Sequence, residues 1–321
     1  MEQGGNPEAF SDMGLTIRLM DQDNASWVFN METGTAERSV PRTDRTMVDM
    51  CARCHARRGI ISEDYEFGRS FLDTHTPSLL DEGLYFADGQ ILEEVYVYAS
   101  FLQSKMYQAG VTCSDCHNPH IADLHAPGEQ VCYSCHRADV YTSSSHHHHE
   151  TGTAGASCVE CHMPPKTYME VDARHDHGFR IPRPDLSVKL GTPNACNNCH
   201  NDQTALWASE KIESWYGRQA TGYQQFATSL NAARKQLPAA QSLITSLAAN
   251  TGQPAIARAT AVSYLGQYTN RAAVESIQQA LHSNDPMLKL AALDALTSLD
   301  IRPVSYTHLR AHETNESISY A

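Results

Sequence analysis

The sequence predicts a mainly α-helical protein with much irregular structure, in two unlike parts. Three observations carry that prediction. All ten cysteines lie between residues 51 and 200, in a stretch rich in turn residues and poor in apolar runs. Residues 201–321 hold no cysteine and turn to Ala, Leu and Gln with apolar residues at helical spacing. The 321 residues leave room for two domains of ordinary size. Charge sets further bounds: 24 Lys+Arg against 37 Asp+Glu give a net charge of −13, so nucleic-acid binding has no electrostatic basis. No apolar run approaches the roughly eighteen residues of a membrane span.

Residues 14 to 39 read as two short strands joined by a turn, with no partner sheet, and residues 1–46 are read as the remnant of an upstream domain. The opening "MEQGGNPEAFSDMGL" has no basic segment followed by an apolar one, and is no signal peptide.

From residue 47 to 200 the cysteines come only as Cys-x-x-Cys pairs: Cys51/Cys54, Cys113/Cys116, Cys132/Cys135, Cys158/Cys161 and Cys196/Cys199. Histidine follows each pair at once, as His55, His117, His136, His162 and His200. This pentad is the attachment signature of c-type haem. Two thiols bond the porphyrin and the adjacent imidazole reaches the iron as proximal ligand. A zinc site or a redox dithiol would use such pairs, and so would disulfides, yet none of these requires histidine at the fifth position. Five covalent haems are therefore expected, with the macrocycles as the core and short helices that begin or end on the pentads. Covalent haem is attached outside the cytoplasm, so a periplasmic or otherwise exported protein is expected. The missing signal peptide then favours a later part of a longer chain.

An iron held by porphyrin and one histidine has a sixth position. A second histidine makes it an electron-transfer centre, and an open position makes it a substrate site. The candidate distal ligands are His75, His120, His146, His147, His149 and His177. His120, three residues after His117 in "CHNPH", sits on a turn leading away from its own haem, and His177 lies in the Pro-rich "HDHGFRIPRP". The blander reading of each is a surface or hydrogen-bonding residue, and of the tetrad His146 to His149 a solvated run or an adventitious metal site. His125 and His175 rank lower, Met163 reads as packing, and His282 in the helical part reads as structural.

After His200, "TALWASEKIESWYG" has helical periodicity ended by Gly217. The segments "RATAVSYL" (258–265) and "KLAALDAL" (289–296) recur at a period of 31 residues, with Pro254 and Pro286 just before each helix. The pattern resembles HEAT repeats, against a plain helical hairpin as the alternative. Helical periodicity stops at about Asp300. The ending "VSYTHLRAHET" looks like translated adapter sequence, so residues 304–321, with His308 and His312, are read as a non-native tail.

The run "CSDCHNPH…APGEQVCYSCH…HHHHETGTAGASCVECHMPPKTYMEVDARHDHGFRIPRPDLSVKLGTPNACNNCH", with "CARCHARRG" and the text at 82–90, resembles a family of exported bacterial multihaem c-type cytochromes. Its members carry doubled haem-binding pentads and a helical-repeat tail, and are related to octahaem and pentahaem nitrite and hydroxylamine enzymes. The resemblance spans about residues 47 to 300 and implies further pentads upstream. It carries His146, His147 and His149 over as ligand positions, and leaves out His125, His148 and His175. The full expectation is thus a pentahaem cytochrome c domain (47–200) followed by an α-helical HEAT-like module (201–303).

Two functions compete. In the first, bis-histidine haems pass electrons between other redox proteins or cytochromes, which acidity and haem propionates would help to dock. In the second, one five-coordinate haem acts on nitrite, hydroxylamine or a sulfur oxyanion, or this part supports such a haem upstream. Tyr168, His177 and Arg180 are then the candidate catalytic donors, against a bland reading as propionate or hydrogen-bonding partners. No pentad has lysine in place of its histidine, as ammonia-forming nitrite reductases often do. A scaffold built on the helical repeats alone would leave the haems without a purpose.

Overall fold

The structure, a computed structural model, describes Ile17, Leu19 and residues 24–299. The expected non-native tail 304–321, residues 300–303 of the helical part and most of the first 23 residues lie outside the described residues. The chain divides into two compact units between Gln225 and Phe226.

In the first unit, strands β1 (Trp27–Phe29) and β2 (Ala36–Arg38) form an antiparallel hairpin, with Trp27 opposite Arg38. Its turn is built by Asn30, whose Oδ1 accepts from the amides of Glu32 (2.9 Å) and Thr33 (3.3 Å). No third strand joins it among the described residues, yet the hairpin is anchored. The Ala36 amide donates to the Cys135 carbonyl (2.7 Å) and the Arg137 amide to the Gly34 carbonyl (2.8 Å). The stretch expected to be a loose remnant therefore rests on the third pentad.

Helix α1 (Thr46–His55) ends on the first pentad's histidine, and buries Met47, Val48 and Ala52 against α2 (Tyr98–Leu102) and the 3-10 turn Phe71–Asp73. Around them Leu80, Tyr85, Val95 and Phe101 make the unit's apolar core. A second hairpin pairs β3 (Arg58–Ile60) with β4 (His75–Pro77). Between Lys105–Gln108 (α3) and the later helices, regular structure is sparse. It comprises α4 (Gln130–Tyr133), α5 (Ala138–Tyr141), α6 (Ser144–His147), α7 (Cys158–His162) and the hairpin of β5 (Pro165–Tyr168) with β6 (Asp172–His175). From residue 113 to 167 no residue is buried. A segment this long with regular hydrogen bonding and no core of its own needs some other body to pack against.

Helices α8 (Pro184–Leu190), α9 (Cys196–Cys199) and α10 (Ala205–Tyr216) complete the unit. The α10 ends are those its residues dictate: Thr204 Oγ1 accepts from the Trp207 amide (3.1 Å), and Gly217 takes the left-handed conformation that stops the helix. Composition had placed α10 in the helical tail. The structure packs it on α8 and α9, so the compact boundary falls after it rather than at residue 200.

The second unit is all-helical in its described part: α11 (Ala227–Arg234), α12 (Ala240–Ala249), α13 (Ala255–Leu265), α14 (Arg271–Leu281) and α15 (Pro286–Ser298). The two recurring segments lie in α13 and α15, which pack on each other. Alanines at 259, 261, 291, 292 and 295, all buried, let these backbones approach. The approach is close enough that a Cβ on Gly266 would sit 2.9 Å from the Ala295 carbonyl oxygen. Asn270 and Asp285 cap α14 and α15 through their side chains.

Leu265 is fully buried between these helices, whereas Leu293 is 53% exposed. Leu265→Ala should cost about 2–5 kcal/mol, and Leu293→Ala less than about 0.5 kcal/mol. Urea unfolding followed by far-ultraviolet circular dichroism checks the contrast.

Candidate haem-binding site

Each pentad is a single helical turn. The His117, His136 and His200 amides each donate to the carbonyl of the cysteine four residues earlier, at 2.9 Å, and the first and fourth pentads lie within α1 and α7. Residues three and four apart on a helical turn share a face. Cys-x-x-Cys-His therefore sets two thiols and one imidazole side by side, as a covalently bound macrocycle with an axial ligand requires.

The pentads adjoin one another in sequence order. Cys51 and Cys113 lie close enough to interact, which holds the Cys51 thiol down and pushes that of Cys113 up. Cys132 and Cys158 make the same kind of pair, with Cys132 lowered and Cys158 raised. Burial pushes Cys116 and Cys161 up to about 11, and each also feels neighbouring pentads: Cys116 the third, Cys161 the fifth. All ten cysteines are free thiols, and among the described residues no group of three or more His, Cys, Asp or Glu converges to hold a bare ion. The donor set fits a haem with two thioethers better than zinc or disulfides.

The imidazoles fit as well. His117 faces His177 with ring centroids 6.4 Å apart and planes 24° from parallel. His146 faces His162 at 6.1 Å and 18°, and His149 faces His200 at 6.2 Å and 33°. These separations lie at the wide end of the range for aromatic pairs. They also match two imidazoles that share one metal through in-plane nitrogen lone pairs, which at about 2 Å per bond sit about 6 Å apart between centroids.

Backbone carbonyls orient several of these rings. His162 Nδ1 donates to the Arg180 carbonyl (2.6 Å) and His177 Nδ1 to the His175 carbonyl (2.9 Å), while His149 Nδ1 donates to the His147 carbonyl. A carbonyl can only accept, so Nδ1 carries the proton and Nε2 keeps its lone pair for a metal. Burial holds His117, His136, His146, His162 and His177 below the usual imidazole range, in the neutral form that ligation needs.

Other candidates stand differently. His147 Nε2 donates to the Thr142 carbonyl (3.0 Å) and its Nδ1 accepts from the His149 amide (3.2 Å), so neither nitrogen is free to ligate. His120 is exposed, its amide donating to Asn118 Oδ1 (3.0 Å), and its ring faces no second imidazole among the described residues. His75 is buried, stacked on Phe71 at 5.0 Å, with Nδ1 2.8 Å from Thr74 Oγ1, and no other imidazole lies against it. His55 and His136 likewise face no second imidazole among the described residues; His136 has Thr35 Oγ1 3.5 Å from Nδ1 and the Tyr141 ring edge-on at 5.4 Å.

The three candidate catalytic donors all lie near Asp176. Arg180 is buried, donating to the Asp88 carbonyl (2.6 Å) and to Gln103, with Asp176 3.8 Å away. Tyr168 is buried with its hydroxyl unpartnered and its phenol pushed up by burial and by Asp176. His177 faces His117. Two residues that sequence reasoning passed over are Trp207, 4.9 Å from His200, and Trp215, 6.2 Å from His149. Their spacing on α10 was the available signal.

A family model described as cytochrome c552 matches residues 136–290, and one described as a doubled CXXCH motif matches residues 106–141, which contain the second and third pentads. No curated protein matches the chain. Among solved structures, a crystal structure of the outer cell wall cytochrome OcwA is similar at TM-score 0.42 and 18% identity, over 81% of this chain and 65% of that one. The chain thus spans less than two thirds of that protein's length.

The ring pairs give distinct expectations for neighbouring histidines. His146→Ala and His177→Ala should each convert one haem from low to high spin, and His147→Ala should convert none. Electron paramagnetic resonance of the exported holoprotein counts the change.

Proposed function

We propose that this chain, a multihaem c-type cytochrome, passes electrons between redox partners through five haems, most of them capped by two histidines. The observation that carries the reading is the file of five pentads adjoining in sequence order, three of them with a facing imidazole. Bound haem supplies an iron that takes up and releases one electron. The chain does the rest. Its cysteines tether each macrocycle, and its second imidazoles bar small molecules from the irons. Carbonyls such as those of Arg180 and His175 fix the rings that set ligand field and potential.

The two ends of the file are its accessible points: Cys54 and Cys199 are the exposed cysteines, and the other eight are half-buried. The net charge of −13 suits docking to a basic partner cytochrome. Among the described residues no helix is long and apolar enough to cross a membrane. Covalent haem supports an exported, periplasmic setting. The helices of the second unit, read as HEAT-like, would offer a docking surface for such partners.

A second reading rests on His55 and His136, which lack a facing imidazole among the described residues. If either iron is open, it would bind nitrite, hydroxylamine or a sulfur oxyanion. Tyr168 and Arg180 are buried, Arg180 with its guanidinium engaged by Asp88 and Gln103.

Visible and electron paramagnetic resonance spectra with and without nitrite, hydroxylamine and carbon monoxide test the proposal. The haems of His117, His162 and His200 are expected to stay low-spin and unmoved by all three ligands, with any response confined to those of His55 and His136. A high-spin haem that binds nitrite or hydroxylamine and turns it over would replace electron transfer with catalysis.

A further inference from the structure

We propose that Trp215 and His148 form a stacked clamp that positions His146 and His149 together as distal ligands, making them positioning residues for two haems at once. The inference rests on the reading of those two histidines as haem caps. Both caps come from one short turn: His146 from α6, and His149 just past its end, facing His162 and His200 respectively. Within the turn the His147 carbonyl fixes one nitrogen of His149, but the placement of the turn itself needs contacts from outside it.

The grip comes from the end of α10. The His148 ring lies 4.4 Å from Trp215, only 8° from parallel, a true stack unlike the wider-spaced ligand pairs. Tyr216 meets the same imidazole edge-on at 5.5 Å and 89°, and its hydroxyl donates to the His146 carbonyl. Trp215 also meets the His149 ring edge-on, at 6.2 Å and 75°. One tryptophan thus touches both the clamped ring and a capping ring.

The backbone at His148 supports the same view. It is left-handed (φ 55°, ψ 27°), which turns His148 away from its neighbours and onto α10. A non-glycine residue keeps such a conformation only where its surroundings impose it. The Nε2 of His148 is buried with no hydrogen-bond partner among the described residues, and what holds the ring is its stack on Trp215. On the far side Gly155 closes the space around His149: a Cβ there would fall 2.3 Å from His149 Cδ2. The cap is held between Trp215 and a position where only glycine fits.

The test uses the full exported chain, and reads low-spin haems per chain by electron paramagnetic resonance and haem content by absorbance. Trp215→Ala and His148→Ala should each turn two haems high-spin together, make them bind carbon monoxide, and leave covalent haem content unchanged. His148→Phe, which keeps the ring and loses the nitrogens, should retain every low-spin haem. Unchanged low-spin counts in both alanine variants would overturn the clamp, as would a loss of low spin in His148→Phe. If Trp215→Ala does not accumulate, His148→Ala against His148→Phe decides. A residue of merely structural role would lower the melting temperature without touching the spin count. The double variant His146→Ala/His149→Ala separates the two ideas. Two haems converted there and none in the clamp variants sinks the clamp alone, and none converted there sinks the ligand reading beneath it.

Discussion

The rest of the structure depends on one constraint: residues 113–167 hold a defined backbone without burying a side chain. Ordinary domains offset chain entropy by burying apolar surface. This segment has three Cys-x-x-Cys-His turns instead, and haems bound there would be the bodies that its loops enclose. Such a core places unusual demands on sequence. Long amphipathic helices are not needed, because each haem is reached by one helical turn that bears two sulfurs and one imidazole on a shared face. Apolar residues gather only where protein packs on protein, as around Phe71 and Tyr85, or between α13 and α15.

The second demand is on direction. A ligand imidazole must present Nε2 and keep Nδ1 protonated, and the chain meets this mostly with its own backbone. The carbonyls of Arg180, His175 and His147 each take an Nδ1 proton. Arg180 shows how closely cofactor and core are joined. Its carbonyl orients His162, while its guanidinium ties Asp88 and Gln103 together in the protein interior. A side chain that read as a catalytic candidate is, by its contacts, a rivet.

How much of this could be read beforehand follows from the range of each interaction. The pentads were legible because covalent attachment sets their spacing within five residues. The ends of α10 were legible because Thr204 and Gly217 act on their own helix. Which imidazoles face each other was not legible, because it depends on contacts such as His117 with His177 or His149 with His200, far apart in sequence. "CHNPH" suggested that His120 reaches a neighbouring haem, and in the structure that residue is exposed. His147, grouped by pattern with His146 and His149, spends both nitrogens inside its own turn. The hairpin of β1 and β2 looked unsupported because its anchor, the third pentad, lies about a hundred residues downstream.

The claim beneath all of this is that every pentad carries a haem and that the haems are the core. The intact mass of the exported chain, measured under denaturing conditions, tests it most directly. Five haem increments per chain, retained after unfolding, are the expected result. A chain that folds with fewer increments, or with zinc and free thiols in their place, would contradict it.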